Sequence, residues 1–211
     1  MTRDEQRKND DGQEKIINQF VLKYFFNKVF NEVEYANDYQ RQVVGIDVIA
    51  DGQLIDIKAQ SSKDYLNHPR NTFILELYFI NKAEQESFGW FIDPEKTTDM
   101  YAFVWIPKTD VINGKIPDPE SIEEIEIMLV DKTRIKTFIN KTRRDNELFL
   151  EAWRMKNTGE AHRDFPIKGL HFAHSHKYPE KPTNLVAQKW FLKQFSLGHY
   201  IVTKNSITKI E

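Results

Sequence analysis

The sequence predicts an α/β (α+β) fold: a mixed central β-sheet flanked by helices, followed by a basic, mostly helical C-terminal portion. Three observations lead there. An amphipathic stretch opens the chain, short β-rich runs fill its middle, and helix-period runs dominate beyond about residue 131. Hydrophobic residues make up 40% of the 211 and charged residues 29%, an ordinary globular composition with material for one sizeable domain.

Taken in order, residues 1–10 are polar and read as a flexible tail. From Asp11 onward Ile16, Ile17, Phe20, Val21, Tyr24, Phe25, Val29 and Phe30 keep the spacing of an amphipathic helix, with Asp10 or Asp11 as its N-cap. Next, "VVGIDVIA" and "QLIDIKAQ" flank Asp51-Gly52, the strongest short-range hairpin signal. "NTFILELYFI", "MYAFVWIP" and the alternating "EIEIMLV" give a third, fourth and fifth strand, and Asp131 can cap the helix that follows. The segments "DKTRIKTFINKTRR", "NELFLEAWRM" and "NLVAQKWFLKQF" read as helices, with a Pro/Gly/His-rich connection at 157–183. The "PDPES" break at 117–121 divides a core, residues 11–120, from a C-terminal portion, residues 121–211, packed on it.

Composition excludes several function classes. Zero cysteines rule out disulfide scaffolds and thiolate metal sites. No apolar run approaches the roughly 18 residues of a membrane span, and the polar, acidic N-terminus is no secretory signal. A cytoplasmic protein with no membrane partner is the expectation. The net charge of −2 hides a split. Residues 1–131 carry 14 Lys+Arg against 25 Asp+Glu, and residues 132–211 carry 16 against 7. A basic half suits a polyanion, although basic solvated helix faces would look the same.

The hairpin fixes where its charges go. With Asp51-Gly52 as a two-residue loop, Val48 opposes Ile55, Asp47 opposes Asp56, and Gly45 opposes Lys58. Ile46, Val48, Ala50, Ile55, Ile57 and Ala59 then share one apolar face. The other face carries Asp47, Asp56, Lys58 and Gln60. Two carboxylates placed side by side repel, so they raise each other's pKa or need a cation between them. A hard divalent ion such as Mg²⁺ meets that need.

Asp47, then eight residues, then Asp56-Ile57-Lys58 on such a hairpin resembles the PD-(D/E)XK nuclease superfamily, with its restriction-endonuclease-like fold; the resemblance spans about residues 11–107. Ile46 stands where the superfamily's name has proline, and Asp56 where glutamate is more frequent. The resemblance implies Mg²⁺-dependent phosphodiester hydrolysis, with Mn²⁺ as substitute, by Asp47, Asp56 and Lys58. The metal would be held by the two aspartates and the Ile57 carbonyl. Many members add a glutamate from the first helix, a role Glu14 fits from the edge of the buried stripe; a helix N-terminal acid favoured by the macrodipole is the alternative. Gln60 positions water or a ligand, or is an exposed strand residue.

Nucleic acid, DNA first, is the implied substrate. Lys132, Arg134, Lys136, Lys141, Arg143, Arg144, Lys189 and Lys193 are the candidate phosphate contacts. A homodimer is compatible with a duplex, whose two strands need two centres. The rival class is a nuclease-like module that binds nucleic acid or protein without cutting. Two weaker candidates remain: a Zn²⁺ site among His171, His174 and His176, and Glu76 as a further acid in the third strand. No nucleophile elbow or Gly-rich phosphate loop occurs.

Overall fold

A computed structural model describes the backbone of residues 3–36 and 38–210, and their side chains apart from those of 3–11, 39 and 42. Met1 and Thr2 of the expected tail lie outside the described residues. Helix α1 (Arg3–Val21) starts eight residues before Asp11, so Asp10 and Asp11 sit inside it rather than capping it. It runs on through a π-helical turn, Leu22–Phe26, and a last turn, Asn27–Val29. Then come β1 (Val33–Tyr35), α2 (Tyr39–Val43), β2 (Val48–Ala50), β3 (Gln53–Ala59), β4 (Thr72–Ile80), β5 (Glu86–Phe88), β6 (Met100–Thr109) and β7 (Ile122–Asp131). After these follow α3 (Lys132–Asn140), α4 (Asp145–Thr158), β8 (His162–Asp164), β9 (Leu170–His174), β10 (Thr183–Gln188), α5 (Lys189–Lys193), β11 (Ser196–Thr203) and β12 (Ile207–Lys209).

The strands form two sheets. One has seven strands in the order β1-β2-β3-β6-β7-β11-β12, mixed because β3 and β6 run parallel while every other pair is antiparallel. The other has five antiparallel strands in the order β5-β4-β10-β9-β8. The chain divides into two compact units that interleave. The first comprises Met1–Arg70, Thr97–Lys132 and Ser196–Glu211, and the second Asn71–Lys96 and Thr133–Phe195. A single boundary near residue 120 therefore does not separate them. Charge follows the units less sharply than it follows the halves: 15 Lys+Arg against 21 Asp+Glu in the first, 15 against 11 in the second.

In the first unit the Asp51-Gly52 loop turns as expected. Both residues have positive φ, 45° and 79°, which a two-residue hairpin with right-handed twist requires. Val48 pairs Ile55 and Ala50 pairs Gln53. The Asp51 carboxylate is tied down by the backbone N–H groups of Asn31 (2.9 Å) and Glu32 (2.8 Å). Val48, Ala50, Ile55 and Ile57 join Ala102 and Val104 of β6 and Ile125 and Ile127 of β7 in one buried cluster with Ile17, Phe20 and Val21 of α1. The π-helical turn adds Phe25 and Phe26 to that cluster.

The expectation of a mostly helical C-terminal portion is corrected: α3 and α4 form, but five strands lie beyond residue 157. In "NLVAQKWFLKQF" only Lys189–Lys193 is helical. Thr183–Gln188 is instead a central strand, bonded by β4 on one side and β9 on the other. Two-sided pairing, with Leu185 and Ala187 buried, outweighs a helical periodicity that a short apolar run only mimics. In the second unit α4 packs on β4, β9 and β10 through Leu148, Ala152 and Met155. Among the described residues no helix is long and apolar enough to cross a membrane.

One buried polar side chain ties α1 to the segment before β7. Gln13 is buried, its Nε2 donates to the Ile116 carbonyl (3.0 Å), and its Oε1 accepts from the Ile116 N–H (2.8 Å). Gln13→Leu strands both main-chain groups and should destabilise the protein by about 2 kcal/mol, read as a lower urea midpoint at unchanged slope.

Candidate active site

The hairpin is regular only as far as Val48. In an unbroken ladder the Ile46 N–H would donate to the Ile57 carbonyl. Here it turns away to the Arg41 carbonyl (3.0 Å), because Gly45, at φ 80°, closes the turn after α2. The Asp47 N–H donates to the Ile55 carbonyl (2.9 Å), so Asp47 and Val48 both address Ile55 in the two-against-one arrangement of a bulge. The Asp47 carboxylate replaces the missing strand partner and accepts from the Ile57 N–H at 2.7 Å. The carbonyl of Ile57, on the same edge of β3, loses its regular hairpin donor. The expected oppositions of Asp47 to Asp56 and of Gly45 to Lys58 are thus replaced by a bulge that aims one carboxylate along the strand edge.

Asp56 and Lys58 project from the other face of β3. Their β6 neighbours there are Tyr101 and Phe103, both buried, whose rings stack at 5.6 Å. Asp56 is only 3% exposed. A carboxylate in such surroundings needs a partner, and Lys58 Nζ lies 2.8 Å from its Oδ1.

The electrostatics follow from this crowding. Burial, then the charge of Asp56 and more weakly that of Glu14, push the Asp47 carboxyl up to about 7, against the pull of Lys58 and the Ile57 N–H. Burial works against the Lys58 ammonium, but Asp56, Asp47, the hydrogen bond to Asp56 and Glu14 outweigh it and raise its pKa. Lys58 is therefore firmly protonated. Among the described residues the charges of Asp47, Asp56 and Glu14 all act on Lys58.

The other expected members fall into place unevenly. The Glu14 side chain is exposed, yet close enough for its charge to act on Asp47, Lys58 and Tyr35. Gln60 is buried and its Oε1 accepts from the Arg70 N–H (3.1 Å), so it anchors the following loop rather than standing exposed on the strand. Glu76 lies in β4, in the second unit. His174 points inward to Thr183 Oγ1 (2.7 Å), whereas His171 lies on the opposite face of β9, so the three histidines share no ligand point. Among the described residues no group of three or more His, Cys, Asp or Glu side chains is arranged to hold a metal ion.

Of the basic candidates, Lys132 is corrected: it is buried in the first unit, with its ammonium 6.0 Å from the centre of the Tyr101 ring. The other seven belong to the second unit. Lys136 pairs with Asp145 (2.8 Å) and Arg143 approaches Glu151 (3.9 Å), while Arg134, Lys141 and Arg144 are exposed. Lys189 and Lys193 flank Trp190 and are partly exposed.

Two neighbours escaped the sequence reading. Tyr35 ends β1 opposite Val48, and burial, followed by the charges of Asp47 and Glu14, raises its pKa against a hydrogen bond from Asn18. Asn18 is 3% exposed and its Oδ1 has no hydrogen-bond partner among the described residues. The signal was present: Asn18 lies four residues after Glu14, a polar side chain inside the apolar stripe of α1.

Compared with family models, curated proteins and solved structures, the chain has no match.

The raised Asp47 pKa has a measurable consequence. Between pH 3.8, the ordinary value, and about 7 the native protein holds a proton that the unfolded chain has lost. Stability then falls as pH rises through this window, and Asp47→Asn should remove that part of the decline. Urea midpoints in metal-free buffer across the window decide the point; equally steep declines in parent and variant would contradict it.

Proposed function

We propose that the chain is a metal-dependent nuclease of the PD-(D/E)XK type, hydrolysing phosphodiester bonds at the open end of the β2–β3 hairpin, with DNA as its first substrate. One observation carries this reading. A bulge aims the Asp47 carboxylate at the edge of β3 beside the Asp56–Lys58 pair, so that two acids and a lysine act on one another at one end of the hairpin. The α1–hairpin arrangement and the parallel β3–β6 pair agree with a restriction-endonuclease-like core.

The donor set fits Mg²⁺ or Mn²⁺. Such ions bind through one or two carboxylates and keep several waters, so a three-acid cage is not needed. Asp47 and Asp56 would hold the ion with the Ile57 carbonyl, and Glu14 would act through water. When bound, the ion acidifies a water and neutralises charge on the phosphate oxygens. Asp56 and Asp47 keep Lys58 charged, so Lys58 holds the attacking water and meets the negative charge building on the phosphate rather than taking the proton. Gln60 keeps the end of β3 in place. The exposed cations Arg134, Lys141 and Arg144 supply salt-dependent phosphate contacts, and a homodimer would serve a duplex substrate.

A second reading has its own support. Lys58 already neutralises Asp56 directly, which suits a nuclease-like module that binds nucleic acid without cutting. Plasmid nicking separates the two. The enzyme nicks with Mg²⁺ or Mn²⁺ and not with chelator, Asp56→Asn and Asp47→Asn fall below detection, and Lys58→Ala loses about a hundredfold or more. Calorimetric titration with Mn²⁺ should show binding in the parent and none in Asp47→Asn. Full nicking by folded Asp56→Asn protein refutes the assignment, and gel shifts without nicking favour the module.

A further inference from the structure

The five-stranded sheet of the second unit carries a cluster that the hairpin chemistry does not use. Register places His162 and Asp164 of β8, His171 of β9 and Gln188 of β10 on one face: Asp164 pairs His171, and the Gln188 N–H donates to the Gly169 carbonyl (2.8 Å). The opposite face, with Leu170, Phe172, Leu185 and Ala187, is buried. With Lys168 and Trp190 these four side chains line an open cleft of about 360 Å³.

The lining is chemically specific. Trp190 lines the cleft with an indole that is 47% exposed and open to a ligand. Its six-membered ring is seated on Gly169, at φ 92°, where a Cβ would come within 2.6 Å of it. Around this aromatic wall stand an amide that can donate and accept, Gln188, and a carboxylate that only accepts, Asp164. The His162 and His171 rings are 4.7 Å apart, and His162 Nε2 is 3.6 Å from Asp164 Oδ1. Burial, then the charge of His162, lower the His171 pKa against Asp164, so His171 offers a neutral ring with one donor and one acceptor.

We propose that this cleft binds an unstacked nucleotide, its base lying on the Trp190 indole and presenting an amino-bearing edge to Asp164 and Gln188. Guanine fits first, because its ring N–H and amino group offer two donors to one carboxylate, and the Lys168 ammonium is placed to meet the phosphate. Stacking supplies the affinity and tolerates any base, favouring the larger ones; the carboxylate adds a preference for an edge that offers donors. The site stands on the second unit alone, and its existence does not depend on hydrolysis at the hairpin.

The test is a titration of the full chain with guanosine 5′-monophosphate, uridine 5′-monophosphate and ribose 5-phosphate, followed by tryptophan fluorescence and calorimetry. Guanosine monophosphate should bind most tightly and quench, and ribose 5-phosphate should bind at least about tenfold more weakly. Trp190→Ala should lower nucleotide affinity about tenfold, the size of a lost stack, while Trp190→Phe retains it. Asp164 is 98% exposed, so Asp164→Asn leaves the fold intact and should reduce the preference for guanosine over uridine monophosphate, leaving the part that stacking supplies. If Trp190→Ala does not fold, the Asp164→Asn comparison decides. Asp47→Asn should bind as the parent does, which keeps this result separate from the nuclease assays. Equal binding of ribose 5-phosphate and nucleotides, unchanged affinity in folded Trp190→Ala, or Zn²⁺ binding lost in His162→Ala with no nucleotide binding would each overturn the proposal.

Discussion

One diverted hydrogen bond organises the candidate active site. By donating to Arg41 instead of Ile57, the Ile46 N–H stops the β2–β3 ladder one step early. Everything distinctive follows from that stop. The Asp47 carboxylate moves in to satisfy the Ile57 N–H, a buried donor that would otherwise cost about 1–3 kcal/mol. The same movement carries a negative charge toward Asp56, and Lys58 becomes the cation that both acids share. The Asp51-Gly52 loop, pinned to the start of β1, holds the far end of the hairpin, so the opening is confined to one end.

Such an arrangement is a poor way to gain stability. A buried ion pair roughly breaks even against apolar side chains of similar volume, and an additional carboxylate beside it is a net cost. The surrounding scaffold bears that cost with an extensive apolar cluster: α1 and its π-helical extension on one face of the sheet, and Tyr101, Phe103 and Trp105 buried on the other. Locally unfavourable electrostatics sustained by a rigid frame are common where a group must be held ready for a ligand. The Oδ1 of Asn18, without a donor among the described residues, belongs with this pattern, since a buried acceptor so left is also a cost.

How much of this was legible in the sequence depended on whether the signal was local. Asp-Gly between two β-rich runs gave the loop, the register from Val48 to Ala50 and the apolar face, because each is set within a few residues. The bulge at Asp47 was not legible, since it depends on the Arg41 carbonyl and on a side chain replacing a main-chain partner. The second sheet was missed for a related reason. Leu185 to Phe195 satisfies helical spacing in isolation, and only pairing with β4, more than a hundred residues earlier, makes its first part a strand. Lys132 looked like a surface cation because charge alone does not reveal burial. Summing charge over contiguous halves likewise exaggerated an asymmetry that the interleaved units dilute.

That interleaving bears on how the protein is made. The polypeptide passes between the units four times, and β7 meets β11 only after the whole of Thr133–Phe195 has intervened. A nascent chain still lacking Ser196–Glu211 presents β7 as a bare sheet edge, with unpaired main-chain groups open to pairing with other chains. Long-range pairing of this kind is slow to form. Emergence of the β11–β12 hairpin therefore covers that edge, and with it one opening for self-association of the newly synthesised molecule.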